Sequence, residues 1–93
     1  MTTSPTFHDA TLLGVQVDWA AGTCCFNLAL SPAQAVVLEF QGLTELVLPR
    51  QAPWGRSVSV NAFRMPAPKS FELEMQSGDC IRIAASGWSS RAA

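Results

Sequence analysis

The segment Phe71-Glu72-Leu73-Glu74-Met75 alternates apolar and acidic residues without a break, and Ile81-Arg82-Ile83 repeats the alternation a few residues later. A period of two sends every second side chain to the same side of a strand, so this stretch has one face for a core and one for water. Between the two runs, Gln76-Ser77-Gly78 suits a three-residue hairpin loop with Gly78 in the left-handed position of a bulged turn, where a residue without Cβ meets no penalty. With that turn Met75 closes on Asp79, Leu73 faces Ile81 and Phe71 faces Ile83. The outer face then sets Glu72 opposite Arg82, and this charge pair supports the same register independently of the turn.

The same period recurs through most of the chain. Leu13, Val15, Val17 and Trp19 share one face, as do Cys24, Phe26, Leu28 and Leu30, and Ala21-Gly22 lies between them. A tight turn there predicts Val17 facing Phe26, Val15 facing Leu28, Leu13 facing Leu30 and Gln16 facing Asn27. A slip of one residue would set apolar side chains against polar ones, which disfavours it. Ser31-Pro32 interrupts the pattern. The pair suits the start of a one-turn helix over 31–35, while Val36 and Val37 favour strand. Val36, Leu38 and Phe40 then point inward, followed after Gly42 by Leu46 and Leu48. The prolines and glycine of PRQAPWGR (49–56) predict a loop, and Val58 and Val60 share the inner face of the next strand, which Pro66 and Pro68 end.

About seven short strands at such spacing predict an all-β domain, mainly antiparallel, in a sandwich or flattened barrel. Ninety-three residues suffice for one domain. Its expected extent is 7–88, with flexible tails at 1–6 and 89–93. The expected core comprises Leu13, Val15, Val17, Phe26, Leu28, Val36, Leu38 and Phe40, then Leu46, Leu48, Val58, Val60, Phe71, Leu73, Ile81 and Ile83.

Charge narrows the function classes. Six basic and seven acidic residues leave a net charge of −1, with no basic patch to neutralise phosphates, which argues against nucleic-acid binding. Charged residues make up only 14% of the chain, against about 25% in an ordinary soluble domain. A surface rich in Ser, Thr, Ala and Gln accounts for this, as does apolar surface covered by a protein partner or by self-association in a homodimer. The opening MTTSPTFHDA lacks the basic and apolar regions of a signal peptide, and no apolar run would span a bilayer, so no membrane association is expected. Three cysteines without metal-ligand spacing suggest reduced thiols and a cytoplasmic protein with no metal and no other cofactor.

The residues able to carry chemistry are few. His8 is the sole histidine, and Asp9 follows it. Together they suggest a general base or a pair of metal ligands, but zinc catalysis ordinarily needs three protein ligands. A structural role for Asp9 in a turn is the competing reading. Cys24 faces inward with Phe26 while Cys25 faces outward, as suits packing rather than catalysis. Glu72 and Glu74 lie about 6.5–7 Å apart by strand rise, a spacing of interest for paired-carboxylate chemistry, although Glu72 has a cross-strand partner. Finally, Trp54 between Pro53 and Gly55, flanked by Arg50 and Arg56, offers an aromatic face and two cations to an anionic or sugar ligand, or else plugs one end of the core.

FHDATLL (7–13), VDW (17–19), PWGRSVSVN (53–61) and ELEMQSGDCIRI (72–83) together resemble a family of small bacterial all-β proteins. Its members share an FHDA opening, a central PWG-x-S-x-SVN segment and a closing LEMQSGD-x-I-x-I hairpin. The resemblance covers roughly 7–85 and implies an all-β fold without an assigned activity, so no catalytic residue carries over. The His-Asp opening is also similar to that of some toxin-immunity proteins. Ala52 stands before PWG where the family pattern leads one to expect an acidic residue.

Three readings follow. A non-catalytic protein-interaction module, self-associating or immunity-like, fits the low charge and the scarcity of acid–base groups. A small-ligand binder would use Trp54, Arg50 and Arg56. An enzyme would have to work with His8 and Asp9.

Overall fold

The computed structural model describes residues 7–50 and 59–93. Their strands are β1 (Thr11–Asp18), β2 (Thr23–Ser31), β3 (Gln34–Gln41), β4 (Glu45–Val47), β5 (Val60–Ala67), β6 (Ser70–Met75), β7 (Cys80–Ala84) and β8 (Gly87–Ala92). They form two antiparallel four-stranded sheets, ordered β1-β2-β3-β8 and β4-β7-β6-β5. The expected all-β architecture is present as a sandwich that does not close into a barrel.

The sheets are joined by a ribbon that belongs to both. β3 pairs with β8, with Gln41 opposite Gly87, and the same two chain segments continue as β4 and β7, with Glu45 opposite Ala84. Backbone bonds bridge the bend. Ser86 donates to the carbonyl of Gln41 at 2.9 Å, and Thr44 donates to that of Ala84 at 2.8 Å. Strands that switch sheets through a bend are the usual way to make the corner of such a sandwich. On the far side the Ala10 carbonyl accepts from Val60 N–H at 2.8 Å, and Thr11 bridges Ser59.

Between the sheets lies an aromatic core. Phe40 packs on Phe26 and Phe71, and Phe63 packs on Phe7 and Trp88, with ring centroids 5.1–5.8 Å apart in those four contacts. Offset and edge-on contacts of this kind add to the hydrophobic gain from burial. Phe26, Leu28, Leu38, Phe40, Val60, Phe71, Leu73, Ile81 and Ile83 are buried as expected, and Val15, Val36 and Leu46 pack on them half-buried. Cys24 is buried inward beside them.

The β6–β7 hairpin has the expected register, with Phe71 opposite Ile83, Glu72 opposite Arg82 and Leu73 opposite Ile81. Gly78 has φ 101°, and Met75 N–H donates to Asp79 across the turn. The β1–β2 hairpin differs from expectation. Val17 pairs with Cys24 and Val15 with Phe26, not with Phe26 and Leu28, and Gln16 pairs with Cys25, not Asn27. The loop is Trp19-Ala20-Ala21-Gly22, closed by Asp18. Its side chain accepts from Ala21 N–H at 3.1 Å and its carbonyl from Gly22 N–H at 3.0 Å. A slip of two residues keeps every side chain on its own face, so the alternation is satisfied equally well by either register.

Other expectations change for local reasons. A bulge between Leu12 and Gly14 turns Leu12 to the core opposite Leu28 and leaves Leu13 62% exposed. Val17 and Leu48 are exposed too, because β4 ends at Val47 and covers neither. No helix forms over 31–35: β2 runs to Ser31, which pairs with Gln34 around Pro32-Ala33. β5 continues through Pro66 to Ala67, which an edge strand with a register shift tolerates. Residues 89–92, expected as tail, belong to β8. Val58 lies outside the described residues.

Candidate functional site

The described surface has a cleft of about 490 Å³ where the β1–β2 turn meets the start of β4. Val17, Asp18, Trp19 and Gly22 line one wall, and Leu43, Thr44, Glu45 and Leu46 line the other. The cause is local. The four-residue turn carries Trp19 beyond the last rung of the β1–β2 ladder, and β4 is too short to close over it. Leu43 N–H donates to the Gly22 carbonyl at 2.8 Å, which fastens the two walls at the base. Trp19 is 91% exposed. An indole fully in water is unusual, since tryptophan is highly buried on average. Among the described residues, two acids and no Lys or Arg line this cleft.

His8 and Asp9 lie elsewhere, on a knuckle between the buried Phe7 and Ala10. His8 Nδ1–H donates to the Asn61 carbonyl at 2.9 Å, a contact that fixes the proton on Nδ1 in the neutral ring. Asp9 has φ 68°, its N–H donates to the Val60 carbonyl at 2.8 Å, and its carboxylate accepts from the Gln76 side chain and lies 3.6 Å from His8 Nε2. Both residues are therefore tied to the strand ends they adjoin. They contribute nothing to the cleft.

The outer face of the second sheet carries a polar cluster. Arg64 donates to Glu74 at 3.1 Å and lies 3.6 Å from Glu72, while Asn61 donates to Glu74 at 2.9 Å. Glu72 faces Arg82 across the strands, but its ion pair is with Arg64. The hydrogen bonds from Asn61 and Arg64 hold the Glu74 carboxyl below the ordinary carboxylate value, and Glu74 holds the Arg64 guanidinium above its own. A carboxylate held by a guanidinium and an amide on an open strand face, as Glu74 is, is stabilised as an anion, which is the opposite of what a general acid needs.

The thiols divide by depth. Burial, and secondarily the neighbouring Cys25, pushes Cys24 up to about 11, so it stays protonated and unreactive. Burial also raises Cys80. Cys25 sits on the outer face opposite Gln16 and Glu39. Among the described residues, no three His, Cys, Asp or Glu side chains converge as metal ligands.

Of the residues read from sequence as a ligand site, Arg50 is exposed just past β4. Trp54 and Arg56 lie outside the described residues. Sequence reasoning missed the cleft, because it assigned Val17 to the core and left Trp19 on the same inward face. The available signal was Asp18 followed four residues later by Gly22, which marks a longer loop that lifts Trp19 off the ladder.

Comparison with family models, curated proteins and solved structures gives no match.

Proposed function

We propose that this chain is a non-catalytic protein-interaction module that meets a partner through the cleft beside Trp19. The observation that carries the reading is the 91% exposure of Trp19 against that cleft. Tryptophan is among the residues most enriched where binding energy concentrates, because one rigid side chain brings a large apolar area. Here Val17 and Leu46 extend that area, while Asp18 and Glu45 supply a polar rim of the kind that surrounds such anchors. The anchoring of His8 and Asp9 to backbone and Gln76, away from the cleft, supports a binding role over a catalytic one. Occupying a partner's surface, as an immunity-like inhibitor does, needs no acid–base group.

Photocrosslinking tests the reading. The chain carrying benzoylphenylalanine at position 19 is expected to give one defined protein adduct in extracts of the source cell. Wild-type chain in excess should suppress the adduct and the Trp19→Ser variant should not. The same label at position 82 serves as control, and an adduct pattern at 19 no different from it would end the proposal.

A further inference from the structure

Each sheet has two outer strands, β1 and β8 in one and β4 and β5 in the other. An outer strand offers unpaired N–H and C=O groups to any other strand, and proteins guard such edges with prolines, bulges, brevity or charge. Three of these edges are guarded. β1 carries the bulge at Leu12–Gly14, and its first residue is bridged to Ser59. β5 has two register shifts and contains Pro66. β4 is three residues long and Pro49 follows it closely. β8, with sequence GWSSRA, has no proline, no bulge and six residues, its one charge is Arg91, and it pairs with β3 from Gln41↔Gly87 to Val36↔Ala92 without a shift.

The backbone groups of β8 can be assigned. Ala93 N–H donates to the Ala35 carbonyl at 3.0 Å. In an antiparallel pair hydrogen-bonded residues alternate, so Gly87, Ser89 and Arg91 turn to β3 and the N–H and C=O groups of Trp88, Ser90 and Ala92 point out from the open edge. Arg91, on the outer face, is held by Glu39 across the β3–β8 pair, which neutralises the one charged side chain that β8 carries.

We propose that β8 pairs antiparallel with β8 of a second copy of this chain, about a two-fold axis at Ser90. In that register Ser90 lies opposite Ser90, and Trp88 lies opposite Ala92 of the second copy. All three outward-facing residues then bond with outward-facing residues, about two hydrogen bonds for each opposed pair. Ser89 meets Arg91 of the second copy on the outer face, so the two guanidiniums are offset diagonally and each keeps its own Glu39. Because the contact is self-complementary about a two-fold axis, it closes at the dimer and does not propagate. β8 adds no residue to the Trp19 cleft, so self-association leaves that surface available.

Sedimentation equilibrium of the full chain tests this. The wild type is expected to reach twice the 10.0 kDa of one chain as concentration rises. Ser90→Pro deletes an N–H that faces away from β3, and Ser90→Lys sets like charges opposite each other at the axis while leaving the β3–β8 ladder intact. Each should weaken the dimer at least about tenfold, and Ser90→Lys should keep the wild-type circular dichroism. The Ser90 and Ala92 amides should exchange more slowly in the wild-type dimer than the Ala92 amide does in the Ser90→Lys monomer. Trp19→Ser should dimerise as the wild type does. A wild type that stays monomeric, or a Ser90→Lys chain that dimerises normally, overturns the proposal. Loss of the dimer in Trp19→Ser but not in Ser90→Lys also overturns it, and moves self-association to the cleft.

Discussion

The β1–β2 and β6–β7 hairpins are built from the same alternating pattern, yet only one has the register that pattern and turn together predict. In β6–β7 the loop is short, Gly78 takes the left-handed position and the Glu72–Arg82 pairing agrees with it. In β1–β2 the loop is two residues longer than Ala21-Gly22 alone suggests, and every pair from Gly14 to Asp18 moves two rungs. Alternation decides which face a side chain takes, and only the turn decides which residue it meets. The cost of misreading a turn is therefore invisible in the core and large at the tip, where Trp19 passes from the last rung into solvent.

The sharpest way to break this contrast is to shorten equivalent leucines. Leu73 is 1% exposed and packed in the core, while Leu13 stands out at the bulge. Leu73→Ala should cost about 2–5 kcal/mol of unfolding free energy in urea titration. Leu13→Ala should stay within about 0.5 kcal/mol, and a loss of 2 kcal/mol or more there, roughly that of a core leucine, would restore Leu13 to the core.

Next come the turn glycines. Gly78 at φ 101° lies farther from any region open to L-residues than Gly22 at φ 69°. No neighbouring atom comes within 4 Å of a Cβ at Gly78, and only Leu43 N, at 4.0 Å, approaches one at Gly22, so the penalty is conformational in both. Gly78→Ala should cost about 1–3 kcal/mol and Gly22→Ala about 1 kcal/mol, measured as above. The reverse order would mean that the β1–β2 turn, not the β6–β7 turn, is the more constrained. Asp18→Ala removes the acceptor for Ala21 N–H and should cost about 1 kcal/mol or less. Chemical shifts should then change through Trp19–Gly22 and leave Gln76–Gly78 as they were.

The smallest effect concerns charge. Glu74 on β6 is held below its ordinary pKa by Asn61 and Arg64 of β5. A carboxyl lowered in the folded state adds stability that is present above its unfolded pKa and lost as pH falls through its folded one. Acid should therefore weaken the β5 edge, and Glu74→Gln should flatten stability against pH on the acid side. An unchanged acid limb in Glu74→Gln would show that the cluster is electrostatically idle, as exposed pairs often are.

The all-β class, the inner faces and one hairpin were legible because each depends on local period or on a turn with a single glycine signature. Val17 and Leu48 were misassigned because alternation reports the face of a strand and not whether another sheet covers it, and Leu13 because a bulge gives its inward place to Leu12. A bulge, a short β4 and a longer turn decided those three. β8 escaped notice because Gly87-Trp88-Ser89-Ser90-Arg91-Ala92 has only one large apolar residue. Its strand character comes from pairing with β3, a tertiary effect. The cleft was illegible for both reasons together.

The ribbon shared by the sheets also sets an order of assembly. β1, β2 and β3 are neighbours in sequence and in space, so this meander can form from local contacts as the chain leaves the ribosome. β3 and β4 must wait for β8 and β7, since Gln41 pairs with Gly87 and Glu45 with Ala84. Contacts so distant in sequence slow folding. Until residues 80–92 emerge, the β3 edge has neither its own partner nor any guard, and the nascent chain is most exposed to wrong pairing at that moment.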